Sequence, residues 1–142
     1  MQLFGEYEID DDATRVDRDV VWQFLSTEAY WGRWRSRDDL EVQLDIAWRV
    51  IGAYRNGALV GFARSLSDGV ATAYLADVFV LPDHRGHGLA QAMLHELIEN
   101  GPGSEFRWML HTADAHGLYA KFGFAPPNDR YLERPSPRPN AG

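Results

Sequence analysis

A short segment in the second half of the chain, Arg85-Gly86-His87-Gly88-Leu89-Ala90, combines residue types that bind phosphate groups. An apolar stretch from Ala73 to Leu81 precedes it, and apolar residues recur at helical spacing from Leu89 to Ile98. This pattern predicts a strand, a turn and a helix. Glycine lets the backbone approach an anion closely, the N–H groups at a helix start attract it, and arginine adds a fixed positive charge. The turn therefore indicates a phosphate site, although it matches neither the G-x-G-x-x-G pattern nor the P-loop pattern.

The segment fits the pattern R-x-x-G-x-[GA], and a second motif, Leu118-Tyr119-Ala120-Lys121-Phe122-Gly123-Phe124, follows a strand-like stretch from Phe106 to His111. On these two segments the chain resembles the GNAT superfamily of N-acetyltransferases, whose members carry the first pattern at the acyl-coenzyme A turn and an L-Y-x-K-x-G-F segment further on. The resemblance implies acetyl-coenzyme A as the co-substrate, held at Arg85, Gly86, His87, Gly88, Leu89 and Ala90. It also implies transfer of the acetyl group to a primary amine by direct attack in a ternary complex.

The resemblance implies roles for residues on both sides of the turn. The backbone groups of Val78, Phe79 and Val80, in a strand that splays from its neighbour, are expected to hold the coenzyme arm, and one N–H is expected to face the thioester carbonyl. Tyr119 matches the family's tyrosine, whose hydroxyl lies near the coenzyme sulfur, so we expect it to be the general acid. The alternative is a tyrosine that only packs on a short helix.

Two residues are candidates for the general base. Asp77 is the single acid of its strand, and strand alternation predicts that it shares a face with Leu75 and Phe79. Asp77 could work through water or hold the substrate ammonium, or it could be a buried aspartate bonded to local donors. Ala76 stands where polyamine-acetylating members of the family carry a glutamate, which argues against a polyamine acceptor. His111 ends the next strand, and an imidazole suits proton transfer near neutral pH.

The loop between the first two helices is rich in aromatic and basic residues. The resemblance implies that this loop lines the acceptor pocket, with four candidate residues: Tyr30, Trp31, Trp34 and Arg35. Aromatic rings can enclose a cation, or they can pack beneath the loop. Arg33 and Arg35 would suit a substrate carboxylate.

The element order predicted from the sequence is strand, two helices, three antiparallel strands, helix, strand, helix and strand. The first strand covers Phe4 to Ile9, Asp17 and Ser36 cap the two helices, and Asn56-Gly57 forms a hairpin turn. This order predicts an α/β fold with a mixed, mostly antiparallel central sheet flanked by helices, and the resemblance implies splayed fourth and fifth strands. We expect one domain over residues 1–134 and a disordered tail over residues 135–142.

Composition narrows the classes of function. The chain has no cysteine, which excludes disulfides, thiolate metal ligands and a cysteine nucleophile, and its five histidines lack metal-ligand spacing, so we expect no metal. The net charge of −7 argues against a nucleic-acid surface, and no apolar run approaches membrane-spanning length. We expect a cytoplasmic protein.

The acceptor and the oligomeric state stay open at this point. A small-molecule amine is the first expectation, and a protein lysine is the alternative. Members of the family often dimerise, which leaves a homodimer open. Two other functions remain: a non-catalytic acyl-coenzyme A sensor, suggested by Ala76, and an acyltransferase that uses another acyl donor.

Overall fold

A computed structural model describes residues 1–29 and 33–138. Within these residues one sheet contains six strands in chain order, with every neighbouring pair antiparallel except the last. The strands are β1 (Gln2–Phe4), β2 (Tyr7–Asp10), β3 (Arg49–Arg55), β4 (Ala58–Ser67), β5 (Thr72–Val80) and β6 (Arg107–Met109). The helices are α1 (Arg18–Thr27), α2 (Arg37–Ile46), α3 (Leu89–Leu94) and α4 (His116–Ala120), and α3 continues as a π-helical turn over His95–Glu99. The predicted fold class is confirmed.

Local signals in the sequence account for most of these elements. The Asp17 side chain accepts hydrogen bonds from the N–H groups at the start of α1, and Ser36 and Asp39 form a reciprocal capping box at the start of α2. Asn56 and Gly57 both adopt positive φ and join β3 to β4, as a tight hairpin turn requires. These parts of the prediction are confirmed.

The two ends of the chain differ from the predicted order. One strand was expected over Phe4 to Ile9, but the structure has a hairpin of β1 and β2 there. The chain turns at Gly5, which adopts a positive φ of 59°. After α4, residues 121–138 form no further strand, so the expected last strand is wrong for the part of the chain that is described. This stretch contains prolines, which cannot donate to a sheet ladder: Pro126, Pro127, Pro135 and Pro137.

The sheet separates two hydrophobic cores. Helix α3 and its π-helical turn cover one face, with Met93, Leu94 and Leu97 fully buried. Helices α1 and α2 cover the other face, where Phe24 stacks on Phe79 with ring centroids 4.3 Å apart. No helix of the described residues is long and apolar enough to cross a bilayer.

A β-bulge in β5 changes the faces of that strand. Phe79 lies opposite Phe62 of β4, whereas Ala76 lies opposite Arg64, so β5 has one residue more than its partner between these pairs. Asp77 adopts a φ of +56° at the bulge. As a result Leu75 packs in the α3 core and Phe79 in the α1–α2 core. The expectation that regular alternation places both residues on one face with Asp77 is therefore wrong.

Candidate active site

A cleft of about 1080 Å³ opens where β5 and β6 separate. The two parallel strands pair over Thr72–Tyr74 and Arg107–Met109, and beyond this point β5 has no strand partner on that side among residues 1–29 and 33–138. One wall is formed by residues 74–80, and the other by residues 110–115 with Leu118 and Tyr119. This is the splay that the resemblance implies.

The free edge of β5 presents backbone groups to the cleft. The Leu81 N–H donates to the Val60 carbonyl of β4 over 2.8 Å. Because successive N–H groups point to opposite sides of a strand, those of Val80 and Val78 point away from β4, into the opening. Phe79 points its N–H toward β4 and buries its ring in the core. Of the three predicted backbone contacts, Val78 and Val80 therefore have the suitable direction.

The turn before α3 lies at one end of the same cleft. Gly86 and Gly88 adopt φ values of 83° and 77°, and an added Cβ on Gly86 would meet no atom within 4 Å. The first backbone bond of α3 runs from the Ala92 N–H to the Gly88 carbonyl, so the N–H groups of residues 89–91 have no acceptor within the helix. This cradle of donors around open space fits a pyrophosphate group.

The side chains of Arg85 and His87 do not contribute to this cradle of backbone donors. The Arg85 Nε donates to the Val80 carbonyl over 2.9 Å, which ties the turn to the end of β5. His87 is exposed, lies outside the residues that line the cleft, and places its ring 6.1 Å from that of Tyr7.

Tyr119 projects from the short helix α4 into the cleft wall and is 8% exposed. Its ring meets Phe124 edge to face, with centroids 5.9 Å apart. The Lys121 Nζ donates to the Gln91 side chain over 3.4 Å, which links α4 to α3. These contacts hold a phenol hydroxyl, a group that can donate a proton, between the walls of the cleft.

His111 takes part in a chain of three polar side chains at the cleft. Its Nδ1 hydrogen-bonds the Tyr74 hydroxyl, and its Nε2 lies 2.5 Å from a carboxylate oxygen of Glu133. A carboxylate only accepts hydrogen bonds, so Nε2 carries a proton and Nδ1 of the neutral ring is left to accept from Tyr74. Burial raises the pKa of Tyr74, which keeps its hydroxyl protonated near neutral pH.

Asp77 lies in a buried ion-pair network instead of facing the cleft alone. Arg35 donates to both carboxylate oxygens, at 2.5 and 2.8 Å, and the Arg64 Nε donates at 2.5 Å. Burial by itself would raise the pKa of Asp77, but the hydrogen bonds and charges of Arg35 and Arg64 together lower it. A carboxylate held by two arginines is a poor proton acceptor, so this geometry favours the alternative of a structural aspartate.

The predicted acceptor residues divide into three groups. Trp34 and Arg35 line the cleft together with Glu28 and Phe24 from the end of α1, but the Arg35 guanidinium is engaged by Asp77. Arg33 is exposed and donates to the Thr27 carbonyl. Two further candidates, Tyr30 and Trp31, lie outside the described residues.

Three residues escaped sequence reasoning: Arg64 and Tyr74, which line the cleft, and Glu133, which contacts His111. Arg64 and Tyr74 sit in ordinary strands, and a single strand carries no sign of which side chain faces a cleft. Glu133 lies 22 residues beyond its histidine partner, in a segment without helix or strand. Within residues 1–29 and 33–138, no group of three or more histidine, aspartate or glutamate side chains could hold a metal ion.

Comparisons with known proteins agree with the fold. Residues 16–124 match the family model of the Acetyltransferase (GNAT) family. A Xanthomonas campestris pv. campestris protein assigned to the GNAT family is 34% identical, with a TM-score of 0.86 over 92% of this chain and 94% of that one. A Gibberella zeae relative that bears the name of an acetyltransferase is 28% identical over 82% of this chain and 77% of its own.

A more distant structure shares the fold. A Clostridium acetobutylicum protein, described as a predicted acetyltransferase and solved with acetyl-coenzyme A, is 16% identical, with a TM-score of 0.62 over 91% of this chain and 96% of that one. The match of the family model over most of the chain settles the class. The chain belongs to the GNAT family of acetyltransferases.

Proposed function

We propose that this protein is an N-acetyltransferase that moves the acetyl group of acetyl-coenzyme A to a primary amine by direct attack in a ternary complex. The observation that carries the proposal is the convergence of three independent features on one cleft. These are the glycine turn at residues 85–90, the unpaired edge of β5 and the Tyr119 side chain. They supply an anion cradle, free backbone donors and a proton donor.

The turn and the strand edge would place the co-substrate. The N–H groups after Gly86 would hold the pyrophosphate, and the free edge of β5 would pair with the amide-containing arm. The Val78 or Val80 N–H would then donate to the thioester oxygen as it gains negative charge. Removing such a donor typically lowers the rate on the order of 10² to 10³.

Proton transfers would be shared between the two sides of the cleft. The amine nitrogen attacks the carbonyl carbon, the carbon–sulfur bond breaks, and Tyr119 would donate its hydroxyl proton to the leaving sulfur. The incoming ammonium must lose a proton on the other side. His111 is our proposed base, reached through the Tyr74 hydroxyl, with Glu133 balancing the charge of the imidazolium. Asp77 is not proposed as the base, because two arginines bind its oxygens.

The proposal is tested by free-thiol release from acetyl-coenzyme A across a panel of primary amines, with matched tertiary amines as controls. The protein has no cysteine, so it contributes no thiol of its own. We expect release that depends on a primary amine. Acetyl-coenzyme A binding with no release for any amine would support a non-catalytic sensor instead. No calorimetric binding near 1 mM acetyl-coenzyme A, at the weak limit of affinity, would contradict the proposal altogether.

A further inference from the structure

Arg64 is a buried cation in the acceptor half of the cleft. It projects from β4, its side chain is 7% exposed, and it lines the cleft together with Tyr74 and Trp34. Its Nε donates to Asp77, and this is the hydrogen bond that its side chain makes among the described residues. The two terminal nitrogens of its guanidinium group are therefore available as a fork of donors.

The neighbouring Arg35 differs from Arg64 because its terminal nitrogens are already hydrogen-bonded. Both terminal nitrogens of Arg35 bind the Asp77 carboxylate, and one also binds the Gln43 side chain. Asp77 thus shares one carboxylate between two buried arginines, and Arg35 also feels the charge of Asp39. The two terminal nitrogens of Arg64 have no carboxylate of their own among the described residues, so the site favours an anion beside them.

We propose that Arg64 binds a carboxylate group on the acceptor, so that the acceptor is a small molecule carrying both a primary amine and a carboxylate. This inference rests on the proposed function, because it names the acceptor class of the same cleft. Arginine recognises carboxylates through two parallel hydrogen bonds. The two free terminal nitrogens of one guanidinium match the two oxygens of a carboxylate.

The other charged groups near this position agree with the assignment. Tyr74 lies close enough to feel the charges of Arg64, Asp77 and Glu133, so the anion site and the Tyr74–His111–Glu133 chain are neighbours. An acceptor held at Arg64 by its carboxylate would present its amine near the group proposed to remove the proton. Glu28 of the cleft wall is exposed and carries a negative charge that would meet the acceptor's ammonium group.

This assignment revises the expectation from the sequence. Arg33 and Arg35 were the residues expected to meet a substrate carboxylate. Arg33 is exposed and lies outside the cleft. Both terminal nitrogens of Arg35 donate hydrogen bonds to Asp77. Arg64, in a strand that gave no sign of its orientation, lines the cleft, and its terminal nitrogens make no hydrogen bond among the described residues.

The experiment measures thiol release from acetyl-coenzyme A with matched pairs of acceptors. Each pair is an amino acid and its amide: phenylalanine, β-alanine and 4-aminobutyrate, with phenylalaninamide, β-alaninamide and 4-aminobutanamide. The quantity compared is the ratio of kcat/KM for the acid to kcat/KM for the amide. The folded fraction of each protein cancels within this ratio. The acidity of each amine cancels when the ratio of the wild type is compared with that of Arg64→Gln.

We expect that ratio to fall about tenfold or more in Arg64→Gln, the loss typical of a hydrogen bond to a charged group. Arg64→Lys should recover part of it. Arg33→Gln is the matched control and should leave the acid-to-amide ratio unchanged. The KM for acetyl-coenzyme A should stay the same in all variants. An equal ratio in the wild type and Arg64→Gln would overturn the assignment.

A binding measurement tests the Arg64 site even if the protein turns over none of these acceptors. Propionate and propionamide are titrated by calorimetry into wild-type protein and Arg64→Gln, each saturated with coenzyme A. We expect propionate to bind the wild type better than propionamide does, and this preference to disappear in Arg64→Gln. Thiol release with neutral amines but no preference for carboxylates would leave the proposed function standing and overturn the Arg64 site. Loss of propionate binding in Arg64→Gln, with no thiol release from any amine, would leave the Arg64 site standing and overturn the proposed function.

Discussion

At the scale of single residues, two carboxylates in or beside the cleft have different partners. Asp77 accepts hydrogen bonds from two buried arginines, whereas Glu133 is half exposed and meets the imidazole of His111. The first arrangement stabilises the fold around the acceptor site. The second can balance a positive charge that appears and disappears on His111 during a proton transfer.

The role of Tyr119 is tested by removing its hydroxyl. Tyr119→Phe keeps the ring that packs on Phe124 and should lower kcat on the order of 10² or more, because the leaving thiolate loses its proton donor. The dissociation constant of acetyl-coenzyme A, measured by calorimetry, should hardly change. Phe124→Leu is a control that alters packing without touching the hydroxyl. Unchanged kcat in Tyr119→Phe would remove this tyrosine from the chemistry.

Glu133 is tested as a positioning residue for His111. Glu133→Gln should lower kcat on the order of tenfold or more while the KM for acetyl-coenzyme A stays the same, because the imidazolium loses its counterion. Glu133→Asp should restore part of kcat, and the exposed Glu105→Gln should have no effect. A parallel loss of thermal stability and of all kinetic constants would instead indicate a purely structural contact.

At the scale of elements, the phosphate turn offers a matched pair of variants. Gly86 and Gly57 adopt φ values of 83° and 82°, and neither has an atom within 4 Å of an added Cβ. Gly86→Glu should raise the dissociation constant of coenzyme A tenfold or more, at least about 1.4 kcal/mol, because it places a negative charge in the anion cradle. Gly57→Glu carries the same backbone strain in a distant hairpin and should bind normally. Equal affinities in a calorimetric titration would place the phosphate groups elsewhere.

The bulge in β5 depends on Asp77. Asp77→Asn tolerates the positive φ but removes the charged carboxylate that Arg35 and Arg64 both bind, so we expect a loss of about 3 kcal/mol in the free energy of unfolding at pH 7. Denaturant titrations measure this loss, with the exposed Asp129→Asn as control. A change below about 1 kcal/mol, the range of a surface pair, would contradict the buried network.

The same network predicts a pH dependence with a definite sign. The folded-state pKa of Asp77 is lowered, so its contribution is fully present above the unfolded value of about 3.9 and is lost as the pH falls through the folded value. Wild-type protein should therefore lose stability below about pH 4 more steeply than Asp77→Asn. Parallel curves for the two proteins would show that Asp77 titrates alike in the folded and unfolded states.

Elements with local signals could be predicted from the sequence, and those set by long-range contacts could not. The cap at Ser36, the hairpin at Asn56-Gly57 and the turn at Gly86 each follow from a few adjacent residues. The bulge lies at Asp77, whose carboxylate accepts hydrogen bonds from two arginines distant in sequence, and no local pattern reports such contacts. Periodicity assumes a regular strand, so it placed Leu75 and Phe79 on one face, whereas they lie on opposite faces.

At the scale of the whole molecule, the site combines parts from nearly the full length of the chain. The motif-bearing residues, such as Gly88 and Tyr119, were found from the sequence because their spacing is short and specific. Arg64 and Glu133 were not, because their roles depend on where strands and the segment after α4 lie in space. The protein is acidic overall, with a net charge of −7, yet two buried arginines share one carboxylate at the cleft.

The central claim is that this cleft joins an acetyl group to an amine nitrogen. The most direct test quantifies both products from one reaction, free coenzyme A and the acetylated amine, by mass spectrometry over the amine panel. We predict equal amounts of the two for at least one primary amine, and on the order of 10² less of each in Tyr119→Phe over the same time. Coenzyme A released without an equal amount of acetylated amine, or no acetylated amine from any member of the panel, would contradict the account.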